Sequence, residues 1–363
     1  MIDLPHDLSS SDYGGALEHD KTLTSDNRHA IDFAAEMAAE FGLGESVFSR
    51  SGKINGPATK KGDAHNHDCA AHLSAMGEAF EMLDASAMKA LTGTIYYRSG
   101  LIIAGTAMIQ PAAFVRGVAS GLSTNRVQIF ENSPVTSLTK TATWTATTPS
   151  GRVDAPKVIL AVKGHLNSFG SLKNQLMHVF TYASMTRPLG ATEMARLGGA
   201  RVWGITPADP MGTTVRQITC PGGDRIIVRN RFTFDPSMEV NDRRIATVAR
   251  NHDNAFAARF PMLGEVDMTH RWGGRRCLSR TNVSVVRELE PGLFSAFCQN
   301  GLGTTRGTLP YKLAAELATN TQSERLDRAL DAPQPTKLRP GIISRPGATA
   351  LLKWQEFKAG AEL

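Results

Sequence analysis

The sequence predicts an α/β chain, α+β overall, in which a Rossmann-like unit with a parallel sheet is joined to a domain built on an antiparallel sheet. Three observations predict it. The run Lys157-Val158-Ile159-Leu160-Ala161-Val162 is apolar without alternation and stops at Lys163-Gly164, as a strand buried on both faces of a parallel sheet does. Residues 293–305 pass from an apolar strand through Gly301-Leu302-Gly303 into a helix. Residues 176–275 are mostly strand-like and are interrupted by one helix at about 240–258, the pattern of a separate antiparallel sheet with helices on one side.

The elements follow in order. After the cap cluster Ser9-Ser10-Ser11-Asp12, residues 14–42 repeat apolar side chains (Ala30, Phe33, Ala34, Met37, Phe41) at helical spacing, and Gly42 supplies a stop. A short strand is predicted around Lys53-Ile54-Asn55, then a helix over 64–80 and another over 84–91 capped by Asp84. Ile95-Tyr96-Tyr97 and Val127-Gln128-Ile129-Phe130 read as strands, with a helix from Pro111 to Val118 between them, proline in its first turn. Val135 to Leu138, Thr143 to Thr147 and Arg152-Val153 form a small meander around the turn Pro149-Ser150-Gly151. Further strands are predicted at 178–186, 213–218, 225–232, 266–272 and 292–298, and a helix runs from Gly303 to about Ala318. Pro333, Pro335, Pro340 and Pro346 make 333–346 an extended segment before a last helix at 348–359.

Composition narrows the classes. The chain has 363 residues, enough for two or three domain-sized units. Its net charge of +6 comes from scattered Lys and Arg, with no basic block interleaved with aromatics, so nucleic acid is not an expected partner. No apolar run reaches the roughly 18 residues of a membrane span. Cys69, Cys220, Cys277 and Cys298 lie far apart with no CxxC pair and no secretory signal, which predicts reduced thiols and a cytoplasmic protein. His65, Cys69 and His72 share a helix face at a spacing compatible with zinc, but no fourth ligand is visible; the reading adopted is an exposed helix start and no metal.

The strand–GxG–helix unit at 293–305 and the meander leading to Gly164 each admit two readings. Exposed N–H groups at a helix start favour a negative or electron-rich ligand group, and glycine lets a flat ligand approach; the alternative is an ordinary tight turn. Order distinguishes them. The stretch "VQIFENSPVTSL … WTATTPSG-RVDAPKVILAVKGHL" resembles the central part of the D-amino-acid-oxidase-like FAD-dependent oxidoreductases, which include the glycine, sarcosine and gamma-glutamylputrescine oxidase types. "HVFTYASMTRPL" resembles the strand opening their substrate domain. "HRWGGRRCLSRTNVSVV" and "LFSAFCQNGLGTTRGTLPYKLAAELA" resemble their closing flavin-binding segment. "SGKINGPATKKG" and "SGLIIAGTAMIQPAAFVRGVA" match in kind and position.

The resemblance implies FAD as cofactor and a small-molecule amine or amino acid as substrate. The flavin takes a hydride from the carbon beside the nitrogen, the imine hydrolyses, and dioxygen or another acceptor reoxidises the flavin. It implies that Val135 meets the adenine, that Gly164 lies near the pyrophosphate and ribitol, and that Gly301, Leu302, Gly303 and Thr304 meet the pyrimidine edge of the flavin. Trp272 and Gly273 would flank the ring on the substrate side. Tyr182 could reach the ring or pack in the core. Arg216, Arg229 and Arg231 lie on substrate-domain strands, where one could clamp a carboxylate, and strict alternation puts Arg229 and Arg231 on one face. The implied division is an FAD-binding domain over 1–48, 105–172 and 276–330, a substrate domain over 49–104 and 173–275, and a C-terminal tail over 331–363. No catalytic residue is assigned.

Family members open with a strand, a GxGxxG turn, a helix and a strand ending in an acid. Here no GxGxxG precedes residue 60, and Gly42-Leu43-Gly44 follows a helix, the wrong context. Met1 to His6 resembles a stretch that in relatives comes after that unit. The expectation is an FAD-binding domain incomplete at its N-terminus by at least roughly 30 residues, the size of one βαβ unit. Ser284, Arg287, Lys163, His165 and the pair Pro310-Tyr311, expected to interrupt the last helix, also depart from the family pattern. Two alternatives follow: an oxidoreductase that keeps FAD, with a second copy or a partner chain completing the site, or a truncated, inactive relative that binds FAD weakly or not at all.

Overall fold

Helix α1 (Leu17–Glu40) buries Ile31, Ala34 and Ala38 against Phe48, Ala107 and Ile109, whereas Phe33, Met37 and Phe41 of the predicted stripe are only partly buried. The computed structural model describes residues 17–123, 127–280, 284–297, 300, 303–338 and 341–363. After α1 come β1 (Phe48–Ser49) and β2 (Lys53–Asn55). Helix α2 (Lys60–Met76) starts four residues before the predicted 64, because the Thr59 hydroxyl accepts from Gly62 N and caps it there. Its left-handed cap at Gly77 frees Phe80–Asp84 to form β3, a strand that the predicted helix end at 80 concealed. Asp84 then caps α3 (Ala85–Thr92), accepting from Ala87 N at 2.8 Å.

Ile95-Tyr96-Tyr97 is a loop instead of a strand, with Ile95 79% exposed, and the strand forms at β4 (Ser99–Ile103). β5 (Met108–Ile109) and α4 (Pro111–Leu122) follow. Residues 127–130 are apolar and β-branched yet form no strand. Val127, Ile129 and Phe130 are exposed, and no neighbouring strand among the described residues offers them a ladder. The meander is β6 (Ser137–Lys140), β7 (Trp144–Thr148) and β8 (Gly151–Ala155), an antiparallel sheet of its own that leads into β9 (Val158–Leu160).

The second half holds β10 (Leu176–Thr186), α5 (Ala191–Leu197), β11 (Trp203–Thr206), β12 (Thr214–Cys220), β13 (Gly223–Phe234), α6 (Asp242–Arg259) and β14 (Met268–Ser279). These strands and β2 to β4 make one eight-stranded sheet, ordered β14-β10-β13-β12-β11-β2-β4-β3. Every pair is antiparallel except β2 with β11. One face packs on α6 through Phe256 and Phe260 against Ile205, Val215, Ile226 and Val228, the main apolar core. The last part comprises β15 (Val285–Glu290), β16 (Leu293–Phe297), α7 (Gly303–Ala318), α8 (Glu324–Asp331) and α9 (Gly341–Ala359). Helix α7 runs through Pro310 to Ala318 without the predicted interruption. Ser323 caps the unpredicted α8, and α9 begins at Gly341, so the extended tail is shorter than its prolines suggest.

Candidate functional site

The parallel pair β9 and β16 organises the site. Leu293 lies opposite Val158, Phe294 opposite Ile159 and Ser295 opposite Leu160, and the Ser295 hydroxyl donates to Leu160 O at 2.8 Å. The two strands start level, and β16 runs two residues past the end of β9. β9 runs into a 3-10 turn, Lys163–Phe169, which Lys163 enters with φ 49°; β16 leads to the start of α7, where Gly303 has φ 49°. Asn300 ties this second elbow to the end of β14, its Oδ1 accepting from Ser279 N at 2.7 Å. Positive partial charge at the first turn of α7 thus falls beside the carboxyl ends of two parallel strands, where open α/β sheets place their ligands.

Two cavities lie around these ends. One of 540 Å³ is lined by Gly164, His165, His178, Gly274, Arg276 and neighbours. The other, 730 Å³, is lined by Val135, Leu138, Trp144, Phe169, Leu293 and neighbours. They share Val162 and His165 at the tip of β9. Gly164 is required by close packing, since a Cβ there would stand 2.7 Å from His178 Cε1. Burial first, and the neighbouring His165 second, hold the His178 pKa below its ordinary value. Arg275 Nη1 lies 3.0 Å from His165 Nε2.

On the eight-stranded sheet, the face opposite α6 carries Arg229, with Thr214 directly across on β12 and Ala183 across on β10. Arg229 donates to the Thr214 hydroxyl at 2.8 Å and weakly to that of Thr181 at 3.4 Å, and its guanidinium lies 5.7 Å from the Phe232 ring. Burial above all, then the charges of Arg276 and Arg216, lowers the Arg229 pKa. Trp272, opposite Ala183 on β14, shares this face and is 41% exposed.

The other sequence-predicted residues are distributed as follows. Tyr182 turns to the α6 side, 1% exposed among Phe180 and Val248, and its hydroxyl lies 2.6 Å from the Thr233 hydroxyl. Strand alternation therefore separates it from Arg229 and Trp272, and it packs in the core. Strict alternation would put Arg231 beside Arg229, but Arg231 has φ 62° at a bulge where the register jumps from Thr181–Phe232 to Tyr182–Asn230. Its guanidinium reaches Glu356 at 2.6 Å and Asn251 at 2.8 Å on the helix side. Val135 and Gly164 line the two joined cavities, and Gly303 and Thr304 open α7; Gly301 and Leu302 lie outside the described residues. The sequence reading missed Arg276 and His178, although Arg276 falls two and four residues from Gly274 and Trp272 on one strand face.

His65, Cys69 and His72 lie on the buried side of α2, not at an exposed start, and His72 Nε2 sits 2.9 Å from Asp20 Oδ2. Among the described residues, no three His, Cys, Asp or Glu side chains converge as metal ligands, and no helix is long and apolar enough to cross a membrane.

Joined cavities at the ends of parallel strands, a helix start and an adjoining sheet face with arginine and tryptophan suit an elongated dinucleotide carrying a flat ring. That architecture defines a flavin-binding oxidoreductase class. The chain matches the FAD dependent oxidoreductase family (DAO) over residues 10–317 and belongs to it; FAD is the cofactor of that family. It is 22% identical over 304 residues to a probable oxidoreductase, OrdL, of Rhizobium meliloti (strain 1021), covering 82% of this chain and 66% of that protein. The chain thus spans just under two thirds of that relative's length. Glycine oxidase from Geobacillus kaustophilus superposes with a TM-score of 0.68 at 15% identity, covering 84% of this chain and 80% of that one. Iminodiacetate oxidase from Chelativorans sp. BNC1 gives 0.63 at 16%, covering 85% and 82%. These likenesses establish the fold.

Proposed function

We propose that the chain oxidises the carbon–nitrogen bond of a small amine or amino acid at the sheet face that carries Arg229 and Trp272. When bound, FAD supplies the acceptor for the hydride that leaves the carbon beside the nitrogen. Val135 would receive the adenine end in the larger cavity and Gly164 would border the passage between the two cavities. Gly303 and Thr304, at the start of α7, and with them Gly301 and Leu302, which precede them in the sequence, would face the pyrimidine edge, where the helix dipole favours negative charge. Arg229 would fix a substrate carboxylate through its fork of donors, and Trp272 would close the substrate side. In this reading the cofactor's domain draws on 1–48, 105–172 and 276–330, and the substrate's on 49–104 and 173–275. The reduced thiols of Cys69, Cys220 and Cys277 support the cytoplasmic location that goes with it.

The observation that carries the reading is the parallel pairing of β9 with β16 beside two cavities that share Val162 and His165. A second reading, weak or absent FAD binding, is favoured by one feature: among the described strands, β9 has a neighbour on one side only, and Ile159 is 40% exposed. A second copy or partner chain covering that edge would reconcile the two. Purified protein incubated with FAD and desalted distinguishes them. Retained flavin near one equivalent, bleached under nitrogen by an amino acid, supports the oxidoreductase. Protein that retains no flavin removes it.

A further inference from the structure

We propose that the ligand received by this sheet face carries two carboxylates, as an amino- or imino-dicarboxylic acid does, one held by Arg229 and the other by Arg216. The choice of a nitrogen-bearing ligand rests on the function proposed above; the count of anionic groups does not. Arg216 lies on β12 two residues beyond Thr214, the residue opposite Arg229, so both arginines project from one face of adjacent strands. Such diagonal neighbours stand roughly 7–8 Å apart. On β11, Gly204 faces Arg216 and leaves room for its stem, with a would-be Cβ 3.8 Å from Arg216 Cγ.

Several other part-buried arginines have acids against them: Arg28 with Glu78, Arg187 with Glu193, Arg231 with Glu356 and Arg271 with Asp253. Arg216 and Arg229 do not. Arg229 donates to two hydroxyls only, and Arg216 has no side-chain acceptor among the described residues. Arg276, from β14, adds a third positive charge that acts on both. Burial disfavours the charged form of both, and the charges of Arg276 and Arg216 disfavour that of Arg229 further, a cost that folding alone does not return. A bound monoanion would neutralise one guanidinium and leave the other; a dicarboxylate satisfies both forks.

The test is calorimetric titration of the full chain, supplied with FAD, with succinate, butyrate and inorganic phosphate. Succinate should bind roughly tenfold to a hundredfold more tightly than butyrate, the worth of one further charge-assisted contact. Arg216→Gln should abolish that preference. Arg216→Lys, which keeps the charge and guards against a folding artefact, should keep part of it. Equal affinities for succinate and butyrate, a preference that survives Arg216→Gln, or phosphate binding more tightly than succinate overturns the proposal. Anaerobic flavin reduction by aspartate is read separately. Arg216-dependent binding without reduction removes the oxidase reading and leaves the dicarboxylate site standing. Reduction by monocarboxylic amino acids with no dicarboxylate preference does the reverse.

Discussion

Replacing Glu362 by alanine should cost stability out of proportion to its place next to the last residue. Its side chain is buried, and Oε1 accepts from Ala58 N, Thr59 N and the Thr59 hydroxyl, each at 2.9 Å. These donors open α2, so the carboxylate also meets the positive end of that helix. Its backbone carbonyl accepts from Thr213 N at 2.7 Å and from Arg259 Nη2 at 3.1 Å. Alanine leaves two backbone N–H groups without their acceptor, at about 1–3 kcal/mol each. Against that stands the cost of burying the carboxylate, which raises its pKa despite the hydrogen bonds from Thr59 and Ala58. A net loss of about 2–4 kcal/mol follows, or about 4–8 °C in Tm at roughly 2 °C per kcal/mol for a chain this large. A raised acid pKa means that the group's contribution is fullest below its unfolded value and is lost as pH rises through the folded one. Glu362→Gln, which cannot ionise, should therefore gain on the wild type across that rise. Thermal unfolding followed by circular dichroism from mildly acidic to neutral pH reads both effects. A Tm for Glu362→Ala within about 1 °C of wild type would refute the reasoning, because on that slope it leaves no room for the lost contacts.

Burial holds the His252 pKa at about 4, and its Nδ1 lies 2.7 Å from the Ser184 hydroxyl. With the folded pKa depressed, its contribution is complete above the ordinary value of about 6.5 and is lost as pH falls toward the folded one, roughly 3 kcal/mol in all. His252→Gln should flatten that part of the acid-unfolding curve, and an unchanged curve would assign the acid sensitivity elsewhere. Asn66 accepts from Asn55 Nδ2 at 2.8 Å and donates to Asn55 O at 3.0 Å and weakly to the Ser99 hydroxyl at 3.3 Å, all buried. Asn66→Ala should lower stability by about 1–3 kcal/mol in urea titration; a neutral result would mean that water takes its place. Gly164→Ala should displace the His178 ring and lower FAD uptake without unfolding the eight-stranded sheet, which titration with FAD and far-ultraviolet circular dichroism read together.

Much of the fold was legible because period and punctuation agreed. Asp84 and Pro111 marked helix starts that the structure keeps, and the unalternated 157–162 run marked the parallel strand, though among the described strands β9 lies at an edge with Ile159 exposed and is not buried on both faces. Failures arose where local preference and tertiary partners disagreed. Residues 127–130 have strand chemistry but no ladder, and Ile95-Tyr96-Tyr97 is bent into a loop where the Tyr96 hydroxyl donates to Ala361 O at 2.6 Å. Site residues followed the same division. Arg229 lies on the sheet face that strand alternation predicts. Arg231 was misplaced because one residue in the left-handed region shifts a register, and an arginine in a sheet pattern gives no sign of that. Tyr182 shows the limit of residue type: an aromatic near a flavin fold is as readily core as site, and parity along β10 decides which. The role of Glu362 was hidden because its partners lie some 300 residues away.

The large sheet has a seam. β2 is three residues long, pairs with β11 at only Ile54–Ile205 and Thr206–Asn55, and joins strands drawn from 80–103 to those drawn from 176–279. Each side is stitched mainly by neighbours in the chain, whereas the seam brings together residues about 150 positions apart and must wait for a long loop to close. The topology predicts two half-sheets that form early and a weld that forms last, so the amides of 53–55 should exchange with solvent sooner than their burial alone would suggest.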